Sequence, residues 1–334
     1  MGNNKNIIRS IAVFVLTLFV FASTVKAQYF LVSHDDIQSS KYHFSPQFVV
    51  DNKIKGVRLS ISDKPDNQPI YDKGLCEYYE FNDAGYISTS YYTDISTATK
   101  TEKNGYYYNK RGNRVSYSTS DYSYSYDTTF TYYVYDKKNQ LVIKRTTIDG
   151  VMFRSAYYEY FEEGSLKKET MLRETNTSTD PNTFVIGTQT LISSESFEYQ
   201  SMTANQVKKF CLNDENRPYK IGMLNMNDKK QILEENYEFV VTWLRINKKY
   251  KYDDKGRLTE YKYSTNSNDR PADIYKYEYN GDQNIEFIRL YSGDDFLKEI
   301  SYIYDENKKL VKNQLTRDHK RNSIGIVKFT YTFL

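Results

Sequence analysis

Residues able to do chemistry are few in this chain. Its three histidines, His34, His43 and His319, stand far apart, and none belongs to a spacing that would gather a metal. His34 precedes Asp35 and Asp36, but with no further ligand at a matching distance the three read as a solvated acidic turn. The metalloprotease helix motif, the phosphate-binding glycine loop and the nucleophile elbow are all missing from the sequence. Asp253-Asp254 and Asp294-Asp295 lack the spaced oxygen ligands of a calcium loop and suit hairpin turns instead. A carboxylate pair for glycoside hydrolysis would converge in space rather than in sequence, and no pair stands out. Cys76 and Cys211 are the two cysteines, in unlike surroundings. Export would permit a bond between them; free, buried thiols are the expectation. The chain is therefore expected to be non-catalytic, with no cofactor and no bound metal.

Aromatic side chains are the plentiful resource. Among 35 tyrosines, Tyr122, Tyr124 and Tyr126 alternate strictly in a Ser/Tyr-rich stretch. On a strand they share one face, either as an exposed ledge for a sugar ring or a partner surface, or as one more half-buried row.

The element that must position such rings is a hairpin. In Tyr250 to Leu258, Tyr250 and Tyr252 fall on one face of a strand, Asp253 accepts bonds from turn amides, and Gly256 tolerates the left-handed corner. If Asp253 faces Arg257, Tyr252 faces Leu258 and the aromatic stripe continues across the turn. Degenerate copies place the residue equivalent to Tyr252 at Phe81, Tyr108, Tyr135, Tyr160, Leu212, Met226, Tyr279 and Tyr304. Including Tyr252, the separations run 27, 27, 25, 52, 14, 26, 27 and 25 residues. One unit is two strands and two turns, with one doubled gap and one half-step. Leu141, Ile232, Leu258, Ile285 and Leu310 each lie six beyond their marker, and Leu166 lies six beyond Tyr160. The copy from Tyr106 to Val115 has Arg114 at that place, which suggests a register shifted by one.

Tyr250-Lys251-Tyr252-Asp253 with Gly256-Arg257-Leu258 resembles the YD repeat of RHS and teneurin-type proteins, whose strands wind into β shells. The copy ending at Leu310 has Lys308 for the glycine, and Asn139 replaces it in the copy ending at Leu141. Tyr157 to Lys168, with Gly164-Ser165-Leu166-Lys167-Lys168, is also similar to the short repeats of the YwqK and MORN-like group. The resemblance covers about two thirds of the chain and implies a fold element, not a chemistry.

Residues 1–27 read as a secretory signal. Lys5 and Arg9 precede the apolar run Ile11 to Ala22, and Val25-Lys26-Ala27 offers a cleavage site. The run is shorter than the roughly 20 residues of a spanning helix, so no membrane span is expected after cleavage. The remaining chain balances its acids and bases, which argues against nucleic acid as a partner. Clusters such as Lys248-Lys249 and Arg317 to Arg321 read as solvated faces. An aromatic content of 16% separates the chain from disordered sequences despite its low mean hydropathy.

Residues 28–75 are expected to hold irregular opening strands, at Phe48 to Asp51 and Val57 to Ile61, continuous with a repeat domain over 76–334. The expected fold is all-β: a long antiparallel meander of hairpins forming one twisted, curled sheet or an open barrel-like shell. The expected function is a scaffold or binding module for an unknown protein or glycan, exported to the periplasm, cell surface or medium. An outer-membrane β-barrel and a hydrolase on the same sheet are the alternatives. Against the membrane barrel, Lys249, Lys251 and Glu278 occupy strand centres opposite the tyrosines, and Glu260 is expected to interrupt the tyrosine face.

Overall fold

A closed ring of antiparallel strands takes in all but two of the twenty strands among the described residues. The computed structural model describes residues 42–334 except 101–104, 109–113, 119–121, 181–182, 267–269 and 308–309. The proposed secretory signal, His34 with its two aspartates, and Lys308 therefore lie outside the described residues.

The strands are β1 (Ile54–Pro65), β2 (Tyr71–Phe81), β3 (Ile87–Lys100), β4 (Gly105–Tyr108), β5 (Arg114–Ser118), β6 (Tyr122–Tyr135) and β7 (Leu141–Thr147). Then come β8 (Met152–Tyr160), β9 (Leu166–Asn176), β10 (Ile186–Thr203), β11 (Gln206–Leu212), β12 (Pro218–Met226) and β13 (Ile232–Phe239). The chain ends with β14 (Arg245–Tyr252), β15 (Leu258–Thr265), β16 (Asp273–Tyr279), β17 (Ile285–Ser292), β18 (Asp295–Tyr304), β19 (Val311–Asp318) and β20 (Ser323–Phe333).

Each strand pairs with the next, except that β3 pairs directly with β6 and leaves the β4–β5 hairpin outside. The ring closes where β1 pairs with both β2 and β20. The expectation of an open, curled sheet is corrected on this point. Closure pairs the free edges that an open sheet of this length would expose.

The repeat explains the turns. In six of them an Asx residue, at positions 82, 136, 213, 227, 253 and 280, accepts from the amides two and four residues on. For Asp253 these are Lys255 N at 3.0 Å and Arg257 N at 2.9 Å. The same bonds form at Asn82, Asp136, Asn213, Asn227 and Asn280. The corner residue has positive φ: Gly256 at 80°, Asn139 at 60°, and also Lys230 at 61° and Gln283 at 68°. Each turn ends in a bulge that sets Tyr252 opposite Leu258, Tyr279 opposite Ile285 and Tyr135 opposite Leu141. The Tyr108 hairpin keeps this register, Tyr108 facing Arg114, so the shift expected there does not occur.

The half-step also resolves. The Leu212 turn joins β11 to β12 at the rim opposite the other markers, and the missing copy is the short β10–β11 connection at Ala204 and Asn205.

At the marker rim, tyrosine hydroxyls tie neighbouring strands together. Tyr160 donates to the Leu141 carbonyl at 2.8 Å, Tyr252 to Ile232 at 3.0 Å and Tyr279 to Leu258 at 2.8 Å. Tyr304 donates to Ile285 at 2.6 Å, Tyr331 to Val311 at 2.8 Å and Tyr135 to Ile87 at 3.0 Å. Every acceptor is the first residue of the adjacent strand, where the bulge breaks the ladder.

The same rim is plugged. A barrel of this many strands has an interior wider than its own side chains fill. Helix α1 (Pro46–Asp51) supplies the remainder, inserting Phe48 and Val49 beside Tyr42 and Phe44 against Leu59, Phe81, Leu141, Val311 and Phe329. The strand expected over Phe48 to Asp51 is thus a helix. Pro46 takes the first turn, where its missing amide costs nothing, and Ser45 Oγ accepts from Phe48 N at 3.3 Å as the N-cap. Val57 to Ile61 lies within β1.

Outside, charges pair across strands. Lys251 meets Glu260 at 2.8 Å, Lys249 meets Glu234 at 3.3 Å, and Arg289 bridges Glu278 and Glu299, the latter at 2.7 Å. Glu260 belongs to this outer row. The bulge after Leu258 returns it to the face of Lys251, so it does not interrupt the tyrosine face.

Candidate functional site

Register fixes which side chains enter the barrel. From Leu59 and Phe329 the inward positions can be followed around the ring and return to the same face. On β7 to β15 they include Lys144, Arg154, Glu169, Glu195, Lys209, Lys220 and Lys248. These residues line a cavity of about 550 Å³ on the side of the lumen left by the plug. A second cavity of about 410 Å³, walled by Glu77, Tyr79, Tyr92 and Tyr133, shares Lys144 and Thr146 with it. Arg154 and Arg173 point inward yet are solvent-exposed, which places the mouth of the chamber at the rim opposite the plug.

Aromatic rings hold the cations in place. Lys220 Nζ lies 5.4 to 5.7 Å from the centroids of Tyr219, Tyr237 and Phe239, and Lys209 Nζ lies 4.6 Å from Phe197. These distances are within cation–π range.

Glu169 and Glu195 face each other directly across β9 and β10. Burial and the neighbouring Glu195 raise Glu169, while Lys144, Lys220 and Lys209 draw it back. Burial lowers Lys144, and Glu169 partly offsets that. Burial also raises the Cys211 thiol, against Lys220 and Lys209, which disfavours a reactive thiolate. Cys76 and Cys211 are both free and buried.

Two other places have chemical character. On the outer face, Glu174 is fully buried and accepts from Tyr157 Oη at 2.6 Å, Gln189 Nε2 at 2.6 Å and Arg145 Nε at 3.4 Å. Phe184 sets its ring 4.3 Å from the Arg145 guanidinium and packs edge-on against Phe153. Burial alone would raise Glu174, but the hydrogen bonds from Tyr157 and Gln189, and the charge of Arg145, outweigh it and lower the carboxyl. A closed cluster of this kind, its carboxylate held by three donors, fastens a loop to the wall.

At the mouth rim, a cleft of about 630 Å³ lies under the exposed Trp243 turn. Several of its polar groups are already engaged: Arg245 with Glu238 at 3.1 Å, Asn247 with the neighbouring Glu234 at 2.8 Å, and Asn266 with the Trp243 carbonyl at 2.9 Å. Among the described residues no group of three or more His, Cys, Asp and Glu is gathered as metal ligands. His319 instead packs its ring 4.4 Å from Phe296.

The residues singled out from sequence lie elsewhere. Tyr135, Leu141, Tyr160, Tyr252, Gly256, Leu258, Tyr279, Ile285, Tyr304 and Leu310 belong to the plugged rim, though Val311 and not Leu310 stands opposite Tyr304, and Leu166 reaches the chamber wall. Tyr122, Tyr124 and Tyr126 alternate along β6; the Tyr122 side chain lies outside the described residues, and Tyr124 and Tyr126 form no open ledge. Tyr126 is 5% exposed with its hydroxyl donating to the Lys73 carbonyl at 3.0 Å, and Tyr124 is half-buried. The lumenal lysines escaped sequence reading because Lys248-Lys249 reads as a solvated pair. Its alternation with Tyr250 and Tyr252 was the available signal: Lys248 shares their face and Lys249 does not.

No protein-family model matches the chain, and no curated protein does. Among solved structures it is similar to a porin-like protein from Bacteroides uniformis, at 9% identity and a TM-score of 0.38, covering 84% of this chain and 97% of that one. It is also similar to the Photorhabdus luminescens Tc holotoxin pore, at 12% identity and a TM-score of 0.22, covering 74% of this chain and 14% of that one. The complex TcdB2-TccC3-TEV gives 12% identity and a TM-score of 0.17, covering 75% and 17%. Ring closure is read from the strand pairings and does not depend on these likenesses.

Proposed function

We propose that this chain is an exported, non-catalytic binding protein, a barrel of YD-like hairpins whose half-open lumen holds a ligand. The observation that carries this reading is the chamber itself. One rim is sealed by α1 and the hydroxyl ties, whereas charged and aromatic side chains face water from the other. A glycan is the favoured class, because rings and hydrogen-bonding side chains alternate along the wall. A glycan array and a pull-down on the folded protein test the proposal. A captured glycan whose binding is abolished by filling the chamber, as in Ala156→Trp, supports it. Turnover of a substrate without a retained ligand overturns it.

An outer-membrane barrel is the second reading, and ring closure favours it, since only a strand set without edges satisfies its backbone in lipid. The exterior favours the first: Lys249 and the pair Arg289–Glu299 occupy strand centres where a lipid-facing band is uncharged. Fractionation separates the two. Recovery in the soluble fraction without detergent supports the binding protein; retention in carbonate-washed membranes supports the membrane barrel.

A further inference from the structure

We infer that the chamber selects small organic anions. This inference rests on the lumen being the binding site and adds the charge of what enters.

Five cationic side chains line the cavity: Lys144, Arg154, Lys209, Lys220 and Lys248. Two carboxylates face them, Glu169 and Glu195. Glu235 stands in register with Lys248, but it accepts from Tyr237 Oη at 2.7 Å and Tyr250 Oη at 2.6 Å. Even with these three acids and Glu77 of the adjoining cavity counted, five bases face four acids, so positive charge is in excess in a lumen walled by protein. There the field acts through low-dielectric walls and is screened less than at an open surface.

The arrangement is directional. Lys209 and Lys220 come from adjacent strands, Lys209 two residues before Cys211 and Lys220 directly opposite Cys211, their ammonium groups seated on Phe197, Tyr219, Tyr237 and Phe239. A cation seated on rings keeps its charge while its approach to water is narrowed. A carboxylate or sulfate entering from the mouth would meet two such donors, with Tyr158 and Tyr263 providing apolar faces for the remainder of the molecule. The chamber volume falls in the usual range for small-ligand sites, so the guest is a small acid and not a polymer threaded through.

Calorimetric titration of the protein with glucuronate, galacturonate and inorganic sulfate, with glucose and galactose as uncharged counterparts, tests this. The expected result is binding of at least one anion, weakened by added salt, with no binding of its neutral counterpart. Lys220→Met and, separately, Lys209→Met should each weaken it about tenfold. Lys249→Met, on the outer face, should leave it unchanged, and matched thermal melts identify any variant that fails to fold. Neutral sugars binding as tightly as the acids would overturn the charge selection and leave the chamber as the site. Equal loss in Lys249→Met would place anion binding on the exterior and overturn the inference. No heat with any anion would overturn the anion selection, while the chamber reading is decided separately by the glycan array and Ala156→Trp.

Discussion

At the scale of single residues, the repeat is a device for satisfying backbone groups at a sharp corner. Asp253 does two things: its Oδ1 accepts from two turn amides, and its Oδ2 pairs with Arg257 at 2.6 Å. Asn227 and Asn280 keep the first without an ion pair; Asn227 Nδ2 instead donates to Gln231 Oε1 at 2.9 Å. Asp253→Asn should therefore cost about 1 kcal/mol, the value of a half-buried ion pair lost while the turn amides keep their acceptor. Asp253→Ala, which also strands the amides, should cost about 1 to 3 kcal/mol. Denaturant melts of the two variants check the difference. Glycine at Gly256 and asparagine at Asn139 are legible as left-handed corners, whereas Lys230 and Gln283 are not. Their backbone is imposed by hairpin closure against an intrinsic preference of about 1 to 2 kcal/mol.

Glu174 gives a pH signature at the same scale. Its carboxyl is lowered in the fold, so it contributes stability above its unfolded value of about 4.3, and that contribution is lost as pH falls through the folded value. Glu174→Gln should lower stability at neutral pH by about 1 to 3 kcal/mol and flatten the decline in acid. Thermal melts between about pH 5 and pH 2 read the slope; parallel curves for the two proteins would refute the assignment.

At the scale of elements, strands were readable because tyrosine and turn residues keep phase over many copies. The helix was not. Phe48-Val49-Val50 has strand composition, and the decisive features are the Ser45 cap, Pro46 and the space at the rim that Phe48 fills. Gly85 shows how closely the helix sits, since a side chain there would collide with the Pro46 carbonyl. Arg114 had a legible oddity with a hidden consequence. Its hairpin keeps the repeat register, yet with a cation in place of the apolar residue it is the copy left outside the ring, where Arg114 pairs with Asp72 at 3.3 Å. Because Phe48 is 3% exposed within the plug, Phe48→Ala should destabilise the protein by about 3 to 5 kcal/mol. It should also admit protease to the marker rim, producing cuts near Gly85 in limited digestion. Wild-type stability with an intact digestion pattern would mean that the ring stands without its plug.

At the scale of the whole molecule, closure depends on two strands that no local pattern connects. β1 and β20 lie at opposite ends of the described chain, and each strand alone reads as an ordinary half-buried row. What joins them is complementarity in the lumen: Val57, Leu59 and Ile61 stand opposite Tyr331, Phe329 and Val327, all on the inward face. This seam also supports the plug, since Phe329 packs its ring 5.7 Å from Tyr42. Removing β20 by ending the chain at Lys320 should do more than delete one strand. It would leave β1 and β19 as unpaired edges, expose Leu59 and the Tyr42 ring, and remove the Tyr331 hydroxyl from the Val311 carbonyl. Edges of that kind template association, so the truncated chain should aggregate or melt without cooperativity. Substituting Lys328 and Thr330, on the outward face of the same strand, should leave the melt nearly unchanged. Light scattering and circular dichroism distinguish the outcomes; a monomeric, cooperative truncated chain would mean that the remaining strands hold the sheet in shape without the seam.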